Sequence, residues 1–351
     1  MNMIYRAFLE LCPLIDRDVE FWLSRGVTEE TMTEGGFGSV WREHCHQVLP
    51  ELESRFGRNE LISVPGFYQS DQGRLQTNLY DDYTLIPYHD RDGYITTVEG
   101  RVPGQPREGK PKYMAPVNSG LHLYVYPRYR PEQTMAFVEG AVGAIVAAQS
   151  GIPVASIKGY QHYRISGGKG ESDRPLPEHE NTVFDGRRVL YIMDEDVKPQ
   201  TRESVQAEAP KAARALIEEH GGKPLIARLP EGYKDLDEWL LSVDEVERVP
   251  QFAGLMPRAV TPDQWEGKED PTKTEPQQIE QNRGQTGATT TARRAPATQA
   301  ASTSPKSAQV LQVVASKTVP QRKRTRATKV RRSPRLQRSR HANHNPGATG
   351  R

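Results

Sequence analysis

Acidic residues recur at three points of one hundred-residue stretch, each where a strand is expected to end. They are Phe137-Val138-Glu139-Gly140, Tyr191-Ile192-Met193-Asp194-Glu195-Asp196 and Lys234-Asp235-Leu236-Asp237-Glu238. The first two close short apolar runs rich in β-forming residues, and a helix-like stretch follows each. In a parallel α/β sheet the carboxyl ends of the strands share one edge, so these acids converge on one crevice. Carboxylates gathered that way repel one another unless a divalent cation holds them. The pattern therefore predicts a magnesium site, and such sites commonly handle phosphates.

The alternation that sets up this arrangement begins near residue 133. Thr134–Val138, Pro153–Ile157, Arg188–Met193 and Pro224–Leu229 are predicted strands. Ala141–Gln149 and Arg202–His220 are the helices between them, and Gly151 breaks the first. Strands alternating with helices predict a parallel sheet flanked by helices. Upstream, residues 1–60 are predicted helical, from Ile4, Phe8, Leu11 and then Val19, Trp22, Leu23, with Gly26 as a stop. Residues 61–132 change character. Thr84–Tyr88 and Tyr94–Val98 flank the turn signal Asp90-Arg91-Asp92-Gly93, which predicts a β-hairpin in a mixed α+β subdomain. Ser166-Gly167-Gly168-Lys169-Gly170 lacks the spacing of a phosphate-binding loop and is expected to be a surface loop.

Charge is divided unevenly. Residues 271–351 hold 17 Lys/Arg and two Asp/Glu, with no Phe, Trp or Tyr, whereas residues 1–270 hold 30 basic and 43 acidic residues. The C-terminal stretch cannot bury enough apolar surface to offset its chain entropy, so residues 256–351 are expected to form a disordered basic tail. Arg322, Lys323, Arg324, Arg326, Arg331, Arg332 and Arg335 are dense enough there to attract nucleic acid without sequence preference. Cys12 and Cys45 are too far apart for a structural zinc site, and neighbours as close as His44-Cys45-His46 point in different directions on a helix. No apolar run reaches bilayer-spanning length. The N-terminus lacks a cationic segment followed by an apolar core, so a cytoplasmic location without membrane partners is expected.

The order strand–Glu-Gly–helix, Gly-Ile-Pro–strand, strand–Asp-x-Asp–helix, strand resembles the TOPRIM fold of bacterial DNA primases, topoisomerases and some nucleases. The likeness to the primase catalytic core extends upstream. It takes in Leu23-Ser24-Arg25-Gly26-Val27, the Asp90–Gly93 turn, Gly100-Arg101-Val102, Pro111-Lys112-Tyr113 and Gly232-Tyr233-Lys234-Asp235-Leu236-Asp237. It covers residues 5–245 and is also close to TOPRIM-like domains of plasmid and phage replication proteins. It implies a TOPRIM-type sheet over residues 133–255, preceded by a primase-like subdomain. It further implies a Mg²⁺- or Mn²⁺-dependent nucleotidyltransferase of a mobile element, acting on single-stranded DNA and nucleotides, with a replicative helicase as partner. Four features depart from it: Gly143 stands where primases carry an acid four residues after the first Glu, Lys158-Gly159-Tyr160 stands where they place Gly-Thr after the second strand, and neither a zinc ribbon nor a helicase-binding domain is recognisable.

Glu139, Asp194 and Asp196 are the candidate catalytic and metal-binding acids, with Asp235 and Asp237 as further metal ligands. Each has a plainer role available. Glu139 suits a helix N-terminus, and Asp235 and Asp237 suit the start of the helix holding Trp239. Arg101, Lys112, Lys158 and Lys234 are the candidate contacts to nucleotide or nucleic-acid phosphates, and His162 is a weaker one. Two alternatives remain open: a TOPRIM nuclease using the same acids, and a degenerate module that binds nucleic acid without catalysis.

Overall fold

The structure, a computed structural model, describes residues 1–268 except 107, 110, 168–170 and 196–198. The chain opens with three helices, α1 (Asn2–Leu11), α2 (Asp16–Ser24) and α3 (Glu29–Glu34). A short strand β1 (Gly38–Val40) follows, then helices α4 (Arg42–Phe56) and α5 (Arg58–Ile62). Ile4, Tyr5 and Phe8 form the buried stripe of α1, at the spacing an amphipathic helix requires. α2 lacks a capping side chain of its own. Ser39 Oγ accepts from Ile15 N at 3.2 Å and in turn donates to buried Asp18 at 2.6 Å, so β1 caps it.

The predicted hairpin is present, longer than the sequence suggested. After the β2 (Phe67–Gln69) and β3 (Leu75–Thr77) pair come β4 (Tyr83–His89) and β5 (Ile95–Arg101). Asp90 Oδ1 accepts from Asp92 N and Tyr94 N, both at 2.9 Å, which closes the turn. With β6 (Tyr113–Met114) they form an antiparallel sheet ordered β1-β4-β5-β6. Predicted helicity over residues 1–60 missed β1, whose three residues carry no period of their own and are defined by pairing with β4.

The second sheet takes its strands from β7 (Tyr124–Val125), β8 (Ala136–Glu139), β9 (Val154–Ile157), β10 (Arg188–Met193) and β11 (Lys223–Arg228). They are ordered β11-β10-β8-β9-β7. All neighbours are parallel except edge strand β7, which pairs antiparallel with β9. α6 (Ala141–Gln149) crosses from β8 to β9, and α7 (Pro199–Leu216) from β10 to β11. Alternate residues of the strands serve opposite faces. Val138, Leu190 and Ile192 pack with α6, while Phe137, Val189 and Tyr191 pack with Ala209, Ala212 and Leu216 of α7.

Helices α8 (Leu236–Ser242), α9 (Glu245–Ala253) and α10 (Pro262–Trp265) complete the described chain. Composition assigned residues 256–268 to the tail, and the structure corrects this. Val260 pairs with Ile226 on the free side of β11, and Trp265 Nε1 donates to Gln206 O at 3.0 Å. Trp265 gives this segment an aromatic anchor, and residues 271–351 contain no Phe, Trp or Tyr. The remaining tail, including Arg322, Lys323, Arg324, Arg326, Arg331, Arg332 and Arg335, lies outside the described residues. Among the described residues no helix is long and apolar enough to cross a membrane.

Candidate functional site

β8 sends its helix toward β9, whereas β10 sends its helix toward β11, on the other side. The carboxyl ends of adjacent β8 and β10 therefore flank the switch point where crevices open in α/β sheets. Their register pairs Leu190 with Ala136 and Tyr191 with Phe137, so Glu139, the last residue of β8, and Asp194, just past β10, come to the same edge. Gly140 carries the chain into α6 at φ +76°, a left-handed conformation that costs glycine least.

The two acids differ in surroundings. Glu139 is half-buried and faces the turn made by His162 N donating to Gly159 O at 2.8 Å. Asp194 Oδ1 is buried and has no hydrogen-bond partner. Burial raises the Asp194 carboxyl well above the usual carboxylate range. The charges of Glu139, Asp235 and Asp237 add to this, and Lys234 opposes it. Four acids thus act on one another around a buried oxygen without a donor.

The third cluster divides its roles. Asp235 caps α8, accepting from Glu238 N at 3.2 Å, while the Glu238 carboxylate accepts from Lys234 N at 3.0 Å. Asp237, 4% exposed, pairs with Arg25 at the end of α2. Burial and then Asp235 push its carboxyl up to about 6 against the pull of Arg25. Both acids fill the helix-starting roles open to them, yet both stay within electrostatic reach of Asp194. Glu195 turns away, to Arg228 at 3.0 Å, and its N–H donates to Lys234 O at 2.8 Å. Asp196 lies outside the described residues.

A cationic group borders these acids. The Lys112 ammonium is lowered by burial and then by Arg101, Arg25 and Lys234. Lys112 and Lys234 are exposed. Arg101 is only 2% exposed, with its guanidinium 4.5 Å from the Phe21 ring centre and 5.3 Å from Trp22. Its Nε donates to Tyr113 Oη at 3.1 Å. Lys158 is engaged by Glu99 at 3.2 Å. Of the four predicted phosphate contacts, Lys112, Lys234 and Lys158 are exposed, the last of them paired with Glu99, and only Arg101 is held within the protein. Arg25, quoted above only as part of a motif, was missed as a site residue. An arginine ending one helix carries no signal that its partner lies 212 residues later.

Among the described residues no three His, Cys, Asp or Glu side chains form a ready-made metal cage. The fit to a cation rests instead on the orphaned Asp194 oxygen and the three acids raising its proton affinity. Gly143 takes no part: a Cβ there would stand 3.4 Å from Leu236 Cβ and 3.6 Å from Val138 Cγ2, in the apolar layer under α6.

Residues 127–245 match the model of a family described as a domain of unknown function, DUF3854. Comparison with curated proteins found no match. Among solved structures, the chain is similar to the E. coli primase catalytic core, at 20% identity over 72% of this chain and 75% of that one, with a TM-score of 0.50. The fold is primase-core-like. Two further neighbours support that statement. The RNA polymerase domain of Mycobacterium tuberculosis primase DnaG aligns at 14% identity over 75% of this chain and 84% of that one, with a TM-score of 0.51. The same domain in complex with a double-stranded DNA oligomer with a 6-nucleotide overhang aligns at 14% identity over 75% and 80%, with a TM-score of 0.50.

Proposed function

We propose that this chain is a primase-like nucleotidyltransferase in the replication of a mobile element, using a TOPRIM-type site to extend a primer on single-stranded DNA. The observation that carries this reading is the buried, unpartnered Asp194 oxygen beside Glu139 at the switch point of a primase-core-like sheet. Glu139, Asp194 and Asp196 would hold a divalent cation, with Asp235 and Asp237 biasing the site electrostatically. Bound there, Mg²⁺ or Mn²⁺ would acidify a primer 3′-hydroxyl and neutralise charge on the reacting phosphoryl group.

The protein's own groups do the positioning. Exposed Lys112 and Lys234 offer ammonium groups to a triphosphate or a template backbone. The rings around Arg101 fix a guanidinium behind them. Arg25 ties Asp237 to α2, so the N-terminal helices and the acid crevice form one unit. That coupling favours polymer synthesis over cleavage, because the N-terminal half is built into the site. On this reading the region upstream of residue 133 orients the template and residues 133–255 carry the chemistry.

Ribonucleotide incorporation on a single-stranded DNA template tests the proposal. Asp194→Ala should lose at least about 100-fold, since a direct metal ligand outweighs the 10–100-fold typical of outer-shell partners. Unchanged incorporation would remove Asp194 from the site. Cleavage of labelled DNA without incorporation would instead support the nuclease reading. No Mg²⁺ or Mn²⁺ uptake by calorimetry at millimolar metal would support a non-catalytic binding module.

A further inference from the structure

A cleft of about 450 Å³ lies between α4 and the β2–β3 pair, on the N-terminal half and lined by none of the acids described above. Its floor includes half-buried Leu49 and Leu75, and its walls carry the half-buried rings of Tyr68 and Tyr80. Arg42 and His46 enter from successive turns of α4, and Arg74 from the start of β3. The Arg42 guanidinium lies 5.5 Å from the centre of the Tyr80 ring.

The charge pattern of this cleft favours an anion. No Asp or Glu lines it, although residues 1–270 carry 43 of them. Among the described residues Arg17, Arg55, Arg58, Arg128 and Arg214 each hold a carboxylate. Arg42 and Arg74, both exposed, form no such pair there. Two uncompensated guanidinium groups and a histidine beside two accessible rings match one ligand chemistry: a flat π-face linked to phosphates. Stacking on tyrosine is tolerant of base identity, and arginine supplies both phosphate contact and cation–π attraction.

We propose that this cleft is a second nucleic-acid subsite, in which a base of a single strand stacks on Tyr80 and Tyr68 while Arg42, Arg74 and His46 hold the flanking phosphates. The inference rests on reading the chain as a protein that acts on nucleic acid, and it adds a place where the strand is gripped away from the acid crevice.

The test uses the full chain, without nucleotides or added metal, so it does not depend on catalysis. Oligonucleotides carrying 5-iodouracil, one of DNA and one of RNA, are irradiated on the protein, and tryptic peptides are mapped by mass spectrometry. Cross-links are expected within residues 59–74 or 75–91, at Tyr68 or Tyr80. Tyr80→Leu should remove the latter, and the DNA and RNA arms show which strand is preferred. Cross-links confined to other peptides in both arms would overturn the proposal. As a second measure, Arg42→Gln with Arg74→Gln should flatten the log–log salt dependence of oligonucleotide binding by roughly 1.4, two contacts at ~0.7 each for a single strand. An unchanged slope would overturn it even if incorporation by the chain is intact. Conversely, loss of the incorporation reading alone would leave both measurements standing.

Discussion

Asp194 is held in a state that folded chains ordinarily avoid, a buried carboxyl oxygen with no donor and three acids in reach. Its proton affinity is higher folded than unfolded. The folded state therefore binds more protons, and stability falls as pH rises from the ordinary value of 3.8 through the raised one. Asp194→Asn removes that cost. Without metal the variant should melt higher, by roughly 2–4 °C per kcal/mol recovered, while added Mg²⁺ should stabilise the unaltered chain and not the variant. A lower melting temperature for Asp194→Asn in metal-free buffer would contradict this account. At Asp237 the expectation runs the other way. Arg25→Ala leaves a buried acid beside Asp235 and should cost about 2–3 kcal/mol, less than the ~3–5 of a fully buried pair, because the Arg25 side chain is 36% exposed. Asp237→Asn should cost less than Arg25→Ala in chemical denaturation, since the charge it leaves behind, on Arg25, is partly open to water whereas that of Asp237 is buried.

At the level of elements, one network fixes the segment leading into β7. Glu178, in the turn Pro177–His179, accepts from Leu123 N at 2.9 Å and from Thr96 Oγ1 at 2.8 Å, and meets His122 Nδ1 at 2.7 Å. Burial lowers the His122 pKa, but Glu178 outweighs it and the net shift is upward; burial raises Glu178, but His122 and its other donors bring it below 4.5. The His122 contribution is fully present below pH 6.5 and is lost as pH rises through its folded value. The Glu178 contribution is present above pH 4.5 and is lost as pH falls. Melting temperature should therefore be favoured by this pair between those limits, and His122→Gln should flatten the loss above pH 6.5. A variant with the same pH profile as the parent would exclude the pair as its source. In α6, Gly143→Ala should stabilise by about 0.5–1 kcal/mol, the interior-helix cost of glycine, because its Cβ makes only ordinary contact with Leu236 and Val138. Gly143→Asp, which supplies the acid found at that position in primases, should destabilise by placing a charge in that apolar layer.

On the scale of the molecule, residues 1–270 are acidic and residues 271–351 basic, and the proposed binding of nucleic acid should divide between them accordingly. Residues 271–351 should add affinity without chemistry, so binding by the full chain should weaken with salt at a log–log slope of roughly −0.7 to −0.9 per phosphate contact. The 1–270 fragment should show a shallower slope on the same oligonucleotide and keep its metal response. Equal slopes would remove the tail from binding, and tighter binding by the fragment would mean that the tail masks the acidic body.

Local pattern determined much of this protein. Ala141–Gln149 and Arg188–Met193 occupy the predicted residues, and the alternation of strands and helices foretold a parallel sheet with acids at its carboxyl edge. Those features depend on period and on chain direction, which neighbouring residues carry. The sequence alone left open which acids lack partners. Tertiary packing pairs Asp237 with Arg25, uses Asp235 as a helix cap and turns Glu195 to Arg228, leaving the Asp194 oxygen without a donor. Packing likewise stacked Arg101 among rings and drew Trp265 back onto the sheet. Desolvation and charge pairing depend on distances across the fold, and a residue's neighbours along the chain do not encode them.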